Sequence, residues 1–267
     1  MKLSKVIPAF IAVTVIYSCA TVPLTGRRQL SLVGDAEINQ SAAASYTQLL
    51  SDPKTKVMAT GTDAQRVKRI GARLSAAIES YLQQNGYANQ YQFKWEFNLI
   101  ESKEINAWCM PGGKVAVYSG ILPVTLNDAG LATVMGHEIG HAIARHSAER
   151  MSQQMAAQAG GGIVGVAASG QSSTNQAIIN QLYGIGGQLT LLKYSRNQES
   201  EADKLGLTFM AMAGYDPNEA VAFWKRMAAQ SKGASQPEFL STHPADATRI
   251  AAIQNEIPNA MKYYHKQ

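Results

Sequence analysis

The chain has 267 residues, of which 46% are apolar, 16% charged and 7% aromatic, a globular balance that excludes a disordered chain and gives ample material for a buried core. Glycine without period and only two cysteines exclude collagen-like and disulfide-scaffold folds. The formal net charge of +5 keeps nucleic acid or an anionic surface open as a partner until the basic residues are located.

Lys2 and Lys5 precede an apolar run from Val6 to Tyr17, followed by Ser18 and Cys19. A charged start, about a dozen apolar residues and a small residue before the cut describe a secretory signal, and the run falls short of the roughly 20 residues a spanning helix needs. Residues 1–18 are expected to be removed. Cys19, directly after Ile16-Tyr17-Ser18, resembles the processing site of bacterial lipoproteins, which implies acylation of Cys19 and a membrane anchor. The alternative is an ordinary secretory signal with an incidental cysteine. Ala20 lacks the Asp associated with inner-membrane retention in some bacteria, which points to the outer membrane with the remaining chain in the periplasm. Loss of two lysines and no acids takes the charge from +5 to +3, and no later stretch concentrates Lys and Arg. Nucleic acid is therefore not expected as a partner. With Cys19 acylated, no intrachain disulfide is expected, and Cys109 is read as a packing residue.

Residues 19–33 read as a tether and residues 34–267 as one domain. Asp35 opens a helix to about Leu50, and Asp63 opens another to about Gln84 with Val67, Ile70, Leu74, Ile78 and Leu82 at helical spacing. Residues 91–100 alternate apolar and polar as a half-buried strand. Two more strands, 105–110 and 114–118, flank Pro111-Gly112-Gly113. Asp128 opens a long helix to about Ala157. Residues 160–176 are Gly-, Ala- and Ser-rich and read as a mobile insert. Helices follow at about 176–193, 196–213 and 217–231, then a loop from Pro237 to Pro244 and a last helix over 245–256. The fold class is α+β, mostly α-helical, with a small mixed sheet.

Residues 137–141 are His-Glu-Ile-Gly-His. Residues four apart on a helix share one face, so both imidazoles point into one space and can share a tetrahedral metal. Glu138 stands beside the first and can reach a water on that metal. With five His in the chain, about 0.004 accidental matches to this spacing are expected. A catalytic zinc needs a third protein ligand and an open fourth position. Six residues after His141 stands Ser147, which excludes the metzincin arrangement, and His146 is expected to be structural or at the surface. Glu199-Ser200-Glu201-Ala202-Asp203 begins 58 residues after His141. Glu199 and Asp203 share a helix face. The economical assignment puts Glu199 on the metal and lets Asp203 receive an imidazole N–H. Glu201 points about 200° away from Glu199 and is the weaker ligand candidate.

These two segments resemble the gluzincin metallopeptidases that include the CaaX prenyl proteases, the HtpX membrane proteases, the mitochondrial Oma-type proteases and the periplasmic BepA- and LoiP-like proteins. Asn106-Ala107-Trp108 with Pro111-Gly112-Gly113 is similar to that family's edge segment, and Ser241-Thr242-His243-Pro244 with Arg249-Ile250 to its late His-Pro…Arg motif. The resemblance covers about residues 35–257. It implies a zincin-like domain holding one zinc at His137, His141 and Glu199, with Glu138 as general base. It also makes His243 a donor to the reacting oxygen or a latch on the open metal position, with Arg249 positioning the site or pairing with an acid. Asn106, Ala107 and Trp108 would form an edge strand to which a peptide adds by backbone pairing.

The expected activity is a zinc endopeptidase acting on envelope proteins in quality control. The alternative is a metal-stabilised chaperone or scaffold with little or latent proteolysis, although a structural site would tend to close with four Cys or His ligands. Mass spectrometry of the protein made in a bacterial host should show a mature chain beginning at an acylated Cys19; an unmodified Cys19 or a cut elsewhere returns the ordinary secretory signal.

Overall fold

The computed structural model describes residues 19–160, 194–231 and 237–265. The signal over 1–18, most of the insert over 160–176 and the helix expected over 176–193 lie outside the described residues.

Strands β1 (Cys19–Thr21) and β2 (Arg28–Leu30) pair antiparallel, with Ala20 opposite Gln29. Leu24 at φ 67° and Gly26 at φ 68° turn the chain between them. Residues 19–33 therefore do not run as the expected tether. Val22 joins the main apolar core, and its burial favours docking of the segment on the body. Helix α1 (Asp35–Ser51) and helix α2 (Thr62–Gln84) follow, and α2 buries Val67, Ile70, Leu74, Ile78 and Leu82 as one stripe.

Strands β3 (Glu96–Ile100), β4 (Ala107–Met110) and β5 (Lys114–Tyr118) form a sheet in the order β3-β5-β4. The central strand β5 runs parallel to β3 and antiparallel to β4. Gly113 at φ 85° lies under Trp95, where a Cβ would stand 2.6 Å from the indole. The strand expected over 91–100 is shorter at its start. Residues 91–95 stay outside the ladder, and Tyr91, Phe93, Trp95 and Phe97 stack in series with centroids 5.5, 4.4 and 5.9 Å apart. The alternation was set by this aromatic stack as much as by strand pairing.

After a short helix α3 (Leu122–Thr125) comes α4 (Asp128–Ile143), capped by the Asn127 side chain accepting from the Gly130 N–H. The single helix expected to about Ala157 is broken. Arg145 adopts φ 54°, and α5 (His146–Gly160) starts in a new direction. The Arg145 guanidinium stacks on Tyr91 at 4.3 Å and pairs with Asp35 at 2.6 Å, contacts that offset a left-handed residue. Helix α6 (Arg196–Met212) begins with a capping box between Ser195 and Gln198. Helix α7 (Glu219–Gln230), a short α8 (Glu238–Thr242) in the expected loop and α9 (Ala247–Ala260) complete the fold.

Helix α4 is buried on nearly every face. Against α6 it approaches almost backbone to backbone. A Cβ on Gly140 would meet the Ala202 carbonyl at 2.8 Å, and one on Gly206 would meet the His137 N at 2.8 Å. Both neighbours are backbone and cannot rotate away. Gly206→Ala should destabilise the protein by about 1–3 kcal/mol, read as a drop of several degrees in thermal denaturation. Gly34→Ala, with nothing within 4 Å and an ordinary φ of −71°, should stay within about 0.5 kcal/mol of wild type.

Candidate metal centre

Three elements converge on one buried point. From α4 come His137, Glu138 and His141, exposed by 1%, 3% and 2%. From the first two turns of α6 and just beyond come Glu199 and Asp203, and from the end of α8 comes His243. The glycine contact between α4 and α6 sets the distance between the first two groups. The capping box fixes where α6 starts, and so which turn carries Glu199. The His243 N–H bonds the Phe239 carbonyl at 2.8 Å, which fixes the third.

The imidazoles of His137 and His141 bring their Nε2 atoms to 3.1 Å. Glu199 Oε1 stands 3.4 Å from His141 Nε2, and Glu199 Oε2 stands 3.6 Å from His137 Nε2. His243 Nδ1 is 2.9 Å from Glu199 Oε1 and 3.2 Å from His137 Nε2. One atom from each of His137, His141, Glu199 and His243 lies within 4.8 Å of the others. Four donors about 2.0–2.1 Å from a tetrahedral zinc stand about 3.3–3.4 Å apart. Most of the separations lie near that edge, so the donor set fits zinc.

The outer contacts hold these groups in register. His137 Nδ1 faces Asp203 Oδ1 at 2.9 Å. Arg249 reaches Asp203 through Nε and Nη2 at 2.8 Å each and Glu199 Oε2 through Nη1 at 2.7 Å. Its guanidinium lies 3.7 Å from the Trp224 ring centroid, and it donates to the Pro244 carbonyl beside His243. The Trp224 ring also packs edge-on against His137.

Burial and charge set the protonation states. Burial pushes His137 below its usual range and His141 well below it, which leaves neutral rings with lone pairs to offer. Burial would raise Glu199, but His243 and Arg249 hold it well below the carboxylate range. Arg249 and His137 hold Asp203 low against the same push. Glu138 is raised to about 7, chiefly by burial and further by Glu199, with His243 pulling the other way. Its Oε1 lies 3.5 Å from His243 Nε2 and accepts no hydrogen bond among the described residues. A carboxylate so placed can exchange a proton near neutrality.

The other residues singled out in the sequence fall elsewhere. Ala107 and Trp108 sit in β4, the outer strand of the sheet, with their side chains buried; Asn106 precedes them, and its Oδ1 accepts from the Ala107 N–H. Cys109 is buried, and burial keeps its thiol protonated. Cys19 opens β1. Sequence reasoning missed two neighbours of His141. Tyr194 stacks on its ring at 3.9 Å, and His146, fully buried, brings Nδ1 to 2.7 Å from His141 Nδ1. The left-handed Arg145 brings His146 back toward His141, an approach that a straight helix does not permit. Glu201, away from the metal face as expected, contacts His146; hydrogen bonds from His146, Thr25 and Arg27 bring it to about 2 against the push of burial.

Comparison with known proteins agrees with this geometry. The chain is 33% identical over 241 residues to the mitochondrial metalloendopeptidase OMA1 of Schizosaccharomyces pombe, covering 90% of this chain and 66% of that one. It is 37% identical to the OMA1 of Saccharomyces cerevisiae over 65% of this chain and 50% of that one. Against the beta-barrel assembly-enhancing protease of Escherichia coli K12 it is 32% identical over 63% of this chain and 36% of that one. The chain thus spans between a third and two thirds of the length of these relatives. The model of peptidase family M48 matches residues 63–257, a stretch that runs from α2 through α9 and takes in all four donors, and the chain belongs to that family.

Proposed function

We propose that the protein is a zinc-dependent endopeptidase that cuts polypeptides in a bacterial cell envelope. The observation that carries this reading is the buried His137, His141, Glu199 and His243 group with the raised, unbonded Glu138 carboxylate beside it. When bound there, one zinc per chain supplies a Lewis acid that polarises a carbonyl and brings the pKa of water toward neutrality. His137, His141 and Glu199 would hold it. Glu138 takes the proton of the attacking water and passes it to the departing amine. His137 donates from Nδ1 to Asp203, so its Nε2 lone pair faces the donor group, and Arg249 holds that Asp203 in place. A metal held only for structure would have no use for Glu138.

The finer reading follows from the N-terminal residues. Residues 1–18 are proposed as a lipoprotein signal, Cys19 as the anchor in the outer membrane, and residues 34–267 as the peptidase domain in the periplasm, acting on envelope proteins. The similarity to the beta-barrel assembly-enhancing protease of Escherichia coli supports an envelope quality-control setting. Among the described residues no helix is long and apolar enough to cross a membrane. Asn106 and the β4 residues Ala107 and Trp108, at one edge of the sheet, are proposed to receive the substrate backbone.

A second reading, latency, is favoured by His243. It sits among the other donors, where an open position is needed for a substrate oxygen. We assign it as a latch in the resting state.

Purified mature protein should cleave casein, lose cleavage in chelator and regain it with zinc. Glu138→Gln should bind zinc and lose at least about 100-fold in rate; equal cutting by wild type and Glu138→Gln overturns the endopeptidase reading. His243→Ala should cut faster than wild type; slower cutting with full zinc content would make His243 a donor in the transition state instead.

A further inference from the structure

The turn between β1 and β2 packs against α6 at Glu201, outside the group of four donors. Arg27, on that turn, donates from Nε to Glu201 Oε2 at 2.6 Å. The Thr25 hydroxyl donates to Glu201 Oε1. The other two guanidinium nitrogens grip Glu149 of α5, Nη1 to Oε1 at 2.8 Å and Nη2 to Oε2 at 2.9 Å. Gln198 of α6 donates to the same Glu149 at 2.9 Å. One arginine thus joins the hairpin, α5 and α6. Glu201 Oε2 is then 3.0 Å from His146 Nε2, and His146 Nδ1 is 2.7 Å from His141 Nδ1.

Counting protons along this chain leaves one arrangement. Glu201 accepts from Arg27 and Thr25, and it accepts from His146 only if His146 carries its proton on Nε2. His146 Nδ1 is then a lone pair and accepts the Nδ1–H of His141. His141 Nε2 is left as the lone pair facing His137 and Glu199. Glu201 is not among the four donors, and a carboxylate at 7% exposure is costly unless paired.

We infer that Arg27 is a positioning residue for the metal ligand His141, acting through Glu201 and His146, so that docking of the N-terminal hairpin sets the tautomer and ring orientation of that ligand. The inference rests on the zinc reading above. Contacts of this outer kind are worth about 10–100-fold in metal affinity.

The test uses the mature chain and measures zinc affinity by competition with a chromogenic chelator, beside the melting temperature of the metal-free protein. Arg27→Met should weaken zinc binding by about 10-fold or more. Arg27→Lys, which keeps a charge within reach of Glu201, should recover part of the loss. Glu201→Gln, isosteric and less prone to disturb folding, should weaken binding similarly. The double variant should bind zinc no worse than Glu201→Gln alone, because both changes break one chain of contacts. If Arg27→Met and Glu201→Gln lower the melting temperature but leave zinc affinity within about twofold, the hairpin is only fastened there and the inference falls. Additive losses in the double variant also overturn action through Glu201. A wild-type chain that takes up no zinc overturns the zinc reading itself, and this inference with it.

Discussion

The closeness of α4 and α6 governs the site. Three glycines, Gly136 and Gly140 on one helix and Gly206 on the other, let the two backbones come within van der Waals contact. Ordinary side chains hold helix axes 8–10 Å apart. Here the short carboxylate of Glu199 on α6 stands within 3.4 to 3.6 Å of two imidazoles on α4. A wider spacing would leave Glu199 outside the donor group and detach Asp203 from His137. The metal geometry is therefore a property of helix packing before it is a property of the ligands.

That packing places several ionisable groups in one buried space, where unpaired charge is expensive. The structure answers with sharing. Arg249 faces both Asp203 and Glu199, and its flat surface rests on Trp224, so one cation steadies two carboxylates and an aromatic wall. Glu138 is left without such a partner, and burial raises it accordingly. Neighbouring carboxylates in one site thus differ in proton affinity because only some of them touch the guanidinium. On the proposed reading, the same division separates groups that hold the metal from the group that reacts.

What the sequence disclosed depended on range. His137, Glu138 and His141 were legible because their geometry is local to one helical turn. Glu199 and Asp203 were legible because their four-residue spacing is also local and only their pairing with α4 had to be supplied. The stripe on α2 and the strand β5 were readable from period alone. His146 was not, since its direction depends on Arg145 leaving the helical region, and the contacts that hold Arg145 there come from Asp35 and Tyr91, far away in the chain. Nor could the hairpin be read. Residues 19–33 have a tether's composition, and their order comes from Val22 in the core and Arg27 between two distant glutamates. The aromatic ladder shortened β3 for a related reason: stacking and strand pairing impose the same alternation.

The folded hairpin also bears on geometry at the cell surface. Fifteen residues, drawn out, would span roughly 50 Å and let a body swing far from its point of attachment. In this protein that length is spent on two strands fastened to the body. A lipid on Cys19, if the proposed anchor is present, would enter the bilayer almost at the protein wall, with the donor group kept at a nearly constant height above the headgroups. On the proposed reading such a body would work as a fixed ruler, within reach only of polypeptides whose exposed segments lie in that thin layer.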